Sequence, residues 1–454
     1  MRIAFAIPAP VPGFSRSGRW PSRAMGRGLR PPDQLLTAAA WLEREGHETR
    51  CFDLTARPLL PEELARHFRD FAPELLVLPS TAATREGDLA FAADRRREAP
   101  GLTVAFVGPL ASAAPSSLLP DPACGAVRGE YEEPLAALAR GRLWTGIPGL
   151  VWRETAGDVR ENPRGPWLDV SRLPFPAWRH IDPNDYPDGI KRFPCLPLST
   201  GRGCPYRCTF CAEPQLLFGR GFRPRPAQAV ADEIADDLRR FPGLAEIMFE
   251  TDSFTSFPEH VRGICEELAR RDFRISWGCN SRVDMDPALL PVMKEAGCRL
   301  LVVGFESGSD RTLATLQKDA TVAQGLALAR AARGHGLLVH GCFVWGAPGE
   351  TLEDCEETLR FSRALPITSF QFTPLSPAPG TEGFAGPGDQ GALDARLRLR
   401  PPSPFPENGI RRAYLGFYLR PVIWWRTLAP LRSLADLKSR WYGLAGFAKE
   451  LLGG

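Results

Sequence analysis

Three cysteines occupy positions 204, 208 and 211, in the string Gly-Arg-Gly-Cys-Pro-Tyr-Arg-Cys-Thr-Phe-Cys that begins at Gly201. The C-x3-C-x2-C spacing places three thiolates on one short loop, and soft sulfur ligands suit iron–sulfur clusters. Three thiolates bind three corners of a [4Fe–4S] cube and leave its fourth iron open. An open iron can bind a substrate or cofactor directly. The spacing therefore predicts a reaction centre with Cys204, Cys208 and Cys211 as metal ligands.

Two other interpretations of the cysteine loop are open at this point. A structural zinc site needs a further Cys or His at suitable spacing, and the nearest candidates, Cys195 and His180, complete no familiar zinc pattern. Unrelated cysteines that are simply buried are the second alternative. Glycine and proline around the loop favour a chain that wraps closely round a metal centre.

The cysteine string resembles that of the radical SAM enzymes. The resemblance implies that the three cysteines hold a [4Fe–4S] cluster and that Phe210 occupies the family's aromatic position beside it. It also implies that S-adenosylmethionine (SAM) binds the open iron through its amino and carboxylate groups. Reduction then cleaves the sulfonium and produces a 5′-deoxyadenosyl radical.

The composition is that of a globular protein with several domains. The 454 residues correspond to about three domains at roughly 150 residues each, and 44% are apolar and 24% charged. A net charge of +3 does not argue for a nucleic-acid partner. No apolar run reaches the length of a transmembrane helix. Eleven cysteines without framework spacing predict a reducing, cytoplasmic location.

Residues 1–140 alternate apolar runs with helical patterns, which predicts an α/β domain with a doubly wound parallel sheet. We expect strands near 2–8, 49–54, 74–79, 103–108 and 125–129, and helices near 33–46, 61–71, 84–98 and 131–139. Placed directly before a radical SAM core, this pattern resembles the cobalamin (B12)-binding domain of one branch of the family.

Two departures from that B12-binding pattern bear on cobalamin. No Asp-x-His-x-x-Gly motif for a cobalt ligand is present, as is common among the radical SAM members. Where the family often has Gly-Gly after the fourth strand, this chain has Gly108-Pro109, and proline offers no amide donor. A domain with this fold and no cobalamin is therefore the alternative.

Residues 141–195 are predicted to be a linker with a small hairpin, and residues 196–385 to be a partial (β/α)6 radical SAM barrel. Barrel strands are expected near 196–199, 245–251, 274–280, 299–305, 337–345 and 369–375, and helices near 227–240, 259–271, 287–296, 310–334 and 351–364. In such barrels the chemistry lies at the carboxyl ends of the strands.

Polar residues follow several of these strands. Asp252 follows the second strand and could hold the ammonium group of SAM, or could cap a helix. Arg282 follows the third strand and could bind a carboxylate, or pair with Asp284 or Glu306. Glu306 and Ser307 follow the fourth strand in a string similar to the family's ribose-contacting segment. In the turn after the fifth strand, Glu350 is predicted to be structural.

Residues 386–454 are predicted to form a helical, basic and aromatic C-terminal region. Residues 391–454 contain eleven Lys or Arg and four Asp or Glu, a net charge of +7. We expect the aromatic side chains to pack on the barrel, with peripheral membrane contact as the alternative.

These observations predict an enzyme that cleaves SAM reductively and, with cobalamin, methylates an unactivated carbon. The alternatives are a cobalamin-linked radical cyclase or rearrangement enzyme, and a non-catalytic cobalamin or cluster sensor. We expect a small-molecule substrate (possible classes include lipids and tetrapyrroles), an electron donor such as flavodoxin or ferredoxin, and no nucleic acid. Methylthiolation fits less well because those enzymes carry a second cluster, and the N-terminal domain has only Cys51 and Cys124.

Overall fold

A computed structural model of the chain describes residues 1–9, 29–252, 254–375, 378–383, 409–428, 434, 436–438 and 440–444. The loop predicted at 9–32 and the segment 384–408 therefore lie largely outside the described residues. No described helix is long and apolar enough to cross a membrane.

The N-terminal domain is a seven-stranded sheet in the order β2-β1-β3-β4-β5-β6-β7. Its strands are β1 (Arg2–Ile7), β2 (Glu48–Asp53), β3 (Leu75–Pro79), β4 (Thr103–Val107), β5 (Cys124–Val127), β6 (Leu150–Arg153) and β7 (Val159–Glu161). Its helices are α1 (Asp33–Arg44), α2 (Pro61–Phe71), α3 (Arg85–Glu98), α4 (Pro109–Ala113) and α5 (Glu132–Ala139). The first five strands are parallel, which confirms the predicted α/β sheet.

The hairpin predicted within the linker becomes part of this sheet. Strand β6 pairs antiparallel with β5, and β7 pairs antiparallel with β6. The N-terminal sheet is therefore mixed, with a parallel core and an antiparallel edge. Apolar residues cover both faces of the parallel strands, as a doubly wound sheet requires.

The second domain is an open barrel of six parallel strands in the order β15-β14-β13-β12-β11-β8. Those strands are β8 (Cys195–Leu198), β11 (Glu246–Phe249), β12 (Ser276–Arg282), β13 (Cys298–Glu306), β14 (Leu338–Trp345) and β15 (Ser369–Pro374), and a small pair, β9 (Gly201–Arg202) and β10 (Arg223–Pro224), adjoins them. The helices are α6 (Ala227–Arg240), α7 (Pro258–Arg270), α8 (Leu289–Glu295), α9 (Asp310–Thr315), α10 (Val322–Gly334) and α11 (Leu352–Ala364). The predicted partial barrel is confirmed.

One element of the barrel differs from its prediction. The single helix expected over 310–334 is two helices, α9 and α10. Gln317 and Asp319 between them have positive φ angles of 49° and 50°, which an α-helix does not accommodate. Thr321 then starts α10 with a capping box to Gln324. The break places Lys318 in a loop at the carboxyl edge of the barrel.

Two further helices, α12 (Gly409–Tyr418) and α13 (Pro421–Leu428), follow the barrel. Tyr414 and Phe417 of α12 are buried, and their rings lie 5.0 and 4.4 Å from that of Phe370 on β15. This part of the C-terminal region packs on the barrel as expected.

Candidate functional site

The cysteine loop leaves the carboxyl edge of the barrel immediately after β9. Gly203 has a φ of +91°, and a side chain there would collide with the carbonyl oxygen of Gly221. The amide of Cys204 donates to the carbonyl of Gly219 at 3.2 Å. This close backbone contact explains why glycine precedes the first cysteine.

Gln215 holds the backbone of the cysteine loop. Its Nε2 lies 3.1, 3.2 and 2.9 Å from the carbonyl oxygens of Cys208, Thr209 and Cys211. The amide of Thr209 in turn donates to the carbonyl of Leu316 at 3.1 Å. The loop is therefore tied to both the following turn and the segment that carries Lys318. No sequence pattern identified Gln215, because its role depends on backbone atoms four to seven residues away.

Three thiolates on one loop are the kind of donor set that iron–sulfur clusters take. No three His, Cys, Asp or Glu side chains among the described residues converge closely enough to hold one metal ion. A cube places each thiolate on a different iron, so its ligands stand farther apart than those of zinc. The zinc candidates are also used elsewhere: Cys195 lies inside the barrel, and His180 contacts Glu43 and Thr49.

Apolar side chains pack against one side of the cysteine loop. Phe210 is buried with Cys208 in a small cluster that includes Leu316, Val344 and Leu375. The place of Phe210 beside a cluster stays a prediction. These apolar side chains exclude water from a cluster held at the loop.

Arg282 lies directly against the cysteine loop. Its Nη1 is 3.6 Å from the Sγ of Cys208, and its guanidinium lies 3.5 Å from the centre of the Tyr206 ring. It also pairs with Asp284 at 2.9 Å, which is one of the two alternatives that the sequence offered. Burial alone would lower the pKa of Arg282, but Asp284 and Cys208 raise it. Arg282 is therefore a fixed positive charge beside the sulfur of Cys208.

A second cation, Lys318, lies next to Arg282. Its role was not predicted from the sequence. Its Nζ lies 2.7 Å from Oε1 of Glu306, and both side chains are buried. Burial acts to lower the pKa of Lys318, and the charges of Glu306 and Cys208 outweigh it and raise that pKa. Glu306 itself has a φ of +61°. The structure thus brings Cys208, Arg282, Glu306 and Lys318 together.

Ser307 faces a different neighbour from Glu306. Its hydroxyl lies 2.9 Å from that of Thr358 on α11 and accepts a bond from the amide of Ser309 at 3.1 Å. Ser309 donates to Asp354 at 2.7 Å and makes no side-chain cap on α9. This segment therefore fastens the end of β13 to α11, and the ribose-contact prediction for Ser307 stays a prediction.

Glu350 plays the structural part expected of it. Its Oε2 accepts bonds from the amides of Gly346 and Ala347, at 2.5 and 3.3 Å. The carboxylate therefore shapes the turn between β14 and α11.

Asp252 lies in a polar cavity between the two domains. The cavity is lined from the N-terminal side by α1 and from the barrel side by the ends of β8 and β11, including Glu250 and Asp252. Glu250 accepts from Asn280 at 2.8 Å and pairs with Lys191 at 3.1 Å and Arg30 at 3.4 Å. The carboxyl edge of the barrel thus faces the N-terminal domain.

Buried ion pairs join the two domains beside this cavity. Arg202 pairs with Glu130 at 3.0 Å and with Glu132 at 2.5 Å, and Arg223 pairs with Glu130 at 3.0 Å. Arg225 pairs with Glu233 within the barrel domain at 2.6 Å. The pairs of Arg202 and Arg223 could not be predicted from the sequence because the partners lie 70 to 93 residues away in the chain.

The carboxyl edge of the N-terminal sheet carries two hydroxyls bonded to a buried carboxylate. Ser80 and Thr84 donate to Asp88 at 2.8 and 2.7 Å. Gly108 has a φ of +93°. Two residues later, the amide of Leu110 donates to the carbonyl of Ser80 at 3.3 Å. The Gly108-Pro109 turn therefore lies against the loop that follows β3.

Comparison with known proteins identifies the family. Residues 198–362 match the model of the radical SAM superfamily. An uncharacterized methyltransferase of Pyrococcus horikoshii is 30% identical over 417 residues, which cover 87% of this chain and 90% of the relative. The chain belongs to the radical SAM superfamily. As a radical SAM enzyme it is expected to bind a [4Fe–4S] cluster and SAM, and the cysteine loop and its cationic neighbours fit that family role.

Further relatives and solved structures match most of the chain. A cytidylyl-2-hydroxyethylphosphonate methyltransferase of Streptomyces wedmorensis is 26% identical over 80% of this chain and 78% of its own length. The solved structure of the cobalamin-dependent radical enzyme OxsB, with aqua-cobalamin and SAM bound, has a TM-score of 0.65 at 18% identity. It covers 87% of this chain, which spans 55% of OxsB.

The radical SAM methyltransferase TsrM of Kitasatospora setae, solved with cobalamin and a [4Fe–4S] cluster, has a TM-score of 0.64 at 20% identity. It covers 84% of this chain, which spans 73% of TsrM. The N-terminal sheet and the barrel therefore share the fold of cobalamin-dependent radical SAM enzymes.

Proposed function

We propose that the protein is a cobalamin-dependent radical SAM methyltransferase that acts on an unactivated carbon of a small molecule. The observation that carries the proposal is the cysteine loop at the carboxyl edge of the barrel, with Arg282 3.6 Å from Cys208 and the Lys318–Glu306 pair beside it. The curated relatives over most of the chain are methyltransferases by name.

The residues of the loop have a defined part in this function. Cys204, Cys208 and Cys211 would hold a [4Fe–4S] cluster, which supplies the electron that cleaves SAM when it is bound. Arg282 and Lys318 place positive charge close to Cys208. Phe210 and its apolar neighbours keep water from that side of the loop.

Asp252 would bind the ammonium group of SAM from the interdomain cavity. It is buried at the end of β11, where parallel barrels place their chemistry. Glu306 would contact the ribose from the edge of β13, with its second carboxylate oxygen, since Oε1 is paired with Lys318.

Cobalamin would lie against the carboxyl edge of the N-terminal sheet, where ligands of such sheets bind. No described residue of the loops at that edge is a histidine. Methyl transfer is the chemistry that cobalamin supplies when bound.

The test is anaerobic reconstitution with iron, sulfide and hydroxocobalamin, followed by absorption spectroscopy and incubation with SAM and a reductant. We expect a retained cluster, retained cobalamin, and 5′-deoxyadenosine among the products. Because the substrate is unidentified, methyl-labelled SAM is used and the label is followed onto bound cobalamin.

Each alternative function predicts a different result in this test. Deoxyadenosine with no labelled cobalamin favours the cyclase or rearrangement alternative, and bound cofactors with no deoxyadenosine favour a sensor. Absence of cobalt after reconstitution contradicts the cobalamin part of the proposal alone. Failure to hold iron contradicts all of it.

A further inference from the structure

The chain segment 434–444 presents its apolar side chains outward. Residues 434, 436–438 and 440–444 are helical. The side chains of Leu434, Leu437, Trp441 and Leu444 are 85, 56, 70 and 45% exposed. Spacings of three, four and three residues place all four on one helical face. We call this set the outer face.

The opposite side of the segment carries polar and small residues that contact the barrel. Asp436 is buried and accepts from Arg192 Nε at 2.7 Å and Nη2 at 3.0 Å. A Cβ at Gly443 would lie 3.2 Å from the carbonyl oxygen of Gly189. The Nζ of Lys438 lies 4.4 Å from the ring centre of Phe193. The segment is thus amphipathic with its polar side inward.

The buried pair fixes this orientation. Turning the outer face toward the barrel would expose Asp436 and leave Arg192 without this carboxylate, and breaking a buried ion pair is strongly unfavourable. The contact with Gly189 holds the same side inward. The outer face therefore stays exposed on the folded chain.

The geometry points to an anionic lipid surface as the partner of the outer face. Residues 409–444 contain seven Lys or Arg and one Asp, a net charge of +6. A helix with Trp and Leu on one face and cations around it is the pattern of interfacial binding, in which apolar burial adds to attraction by anionic headgroups. A second exposed tryptophan, Trp425 on α13, adds to this region.

A second copy of the chain is the less favoured occupant. Two such regions, each with a net charge of +6, would be brought within a Debye length of one another and would repel. The same charge attracts an anionic bilayer. The segment also lies beside Arg192, which precedes β8, and so at the end of the barrel opposite the cysteine loop. Membrane contact there would leave the interdomain cavity accessible.

The experiment is flotation of the full chain with vesicles of phosphatidylcholine alone and of an equal mixture with phosphatidylglycerol. The test variant is Leu434→Ser with Trp441→Ser. The matched control is Leu60→Ser with Leu143→Ser, two side chains that are 61 and 80% exposed on the N-terminal domain. We expect wild type and control to float with the anionic vesicles, and the test variant to bind at least about tenfold more weakly.

Added salt should release the wild-type protein from the vesicles, a measurement that needs no variant. Cluster absorbance and SAM cleavage should be unchanged in the test variant. The proposal is overturned if wild type does not float, or if the test variant floats like the control. It is also overturned if wild type is a dimer that the test variant dissociates, since the outer face would then be a contact between copies.

Discussion

The two sheets of this protein turn their carboxyl edges toward each other, and the two edges differ in charge. The barrel edge carries Arg282 and the Lys318–Glu306 pair beside Cys208. The N-terminal edge carries Ser80 and Thr84, whose hydroxyls bind Asp88. Fixed cations stabilise thiolates and the electrons added to a cluster. The Ser80 and Thr84 hydroxyls are already bonded to Asp88 of their own domain. A cofactor at this edge would therefore be recognised mainly by backbone groups and by the shape of the surface.

The largest expected effect is at the barrel edge. Cys208→Ala should abolish both the cluster absorbance of the reconstituted protein and 5′-deoxyadenosine formation, because two thiolates remain for a site that needs three. Cys124→Ala, on β5 of the N-terminal sheet, is the matched control and should change neither. Equal loss in both variants would show that the cluster is not held at the loop.

Removing a buried cation from the barrel edge should lower the free energy of unfolding more than removing a hydroxyl from the N-terminal edge. Lys318→Met leaves Glu306 as an uncompensated buried charge and should lower the free energy of unfolding by about 3–5 kcal/mol. Ser80→Ala at the N-terminal edge removes one hydrogen bond to the Asp88 carboxylate and should cost about 1.5–3 kcal/mol. Urea unfolding of the apoprotein measures both.

The double variant Lys318→Met with Glu306→Gln should recover part of the loss, because no charge is then left buried. A double variant no more stable than Lys318→Met would show that the charge of Glu306 is not the cause.

Acid should destabilise the barrel domain through His260. Burial lowers the pKa of this imidazole to about 4, although a bond involving the backbone of Thr200 opposes the shift. Between the unfolded pKa, near 6.5, and about 4, the unfolded chain binds the proton and the folded chain does not. Stability is therefore lost as the pH falls through this window, by about 3 kcal/mol in total for this residue.

The measurement is the free energy of unfolding at a series of pH values from 7 to 4, for wild type and His260→Phe. The variant should show a shallower fall with pH. Parallel curves would mean that His260 does not contribute.

The smallest effect is expected at Pro109. Pro109→Ala restores a backbone amide next to Gly108, whose positive φ the variant leaves in place. One additional hydrogen bond is worth about 1 kcal/mol, so cobalamin retention should rise severalfold at most. Equilibrium dialysis of both proteins with hydroxocobalamin checks this. Weaker binding by the variant would show that the amide is not the missing contact.

The parts that the sequence predicted are those encoded locally. Strand and helix periodicity located both sheets, and the spacing of Cys204, Cys208 and Cys211 located the centre of the site. The break before α10 was missed because it depends on two residues with positive φ, Gln317 and Asp319. Neither is glycine, so composition offered no signal.

Ion pairs between residues far apart in the chain were also not predictable from the sequence. Arg202 and Glu132 lie 70 residues apart, yet they pair across the domain boundary. The carboxylate partners of Arg202 and Arg223 come together with them only when the chain is folded. The pairing of Lys318 with Glu306 is shorter in range, but it depends on the same break before α10.

The three carbonyl contacts of Gln215 bear on how the spacing of the cysteines is held. One side-chain amide lies within hydrogen-bond distance of three backbone oxygens between Cys208 and Cys211. A side chain without that amide would lose all three contacts at once. A single residue outside the three cysteines therefore controls the backbone that separates two of them.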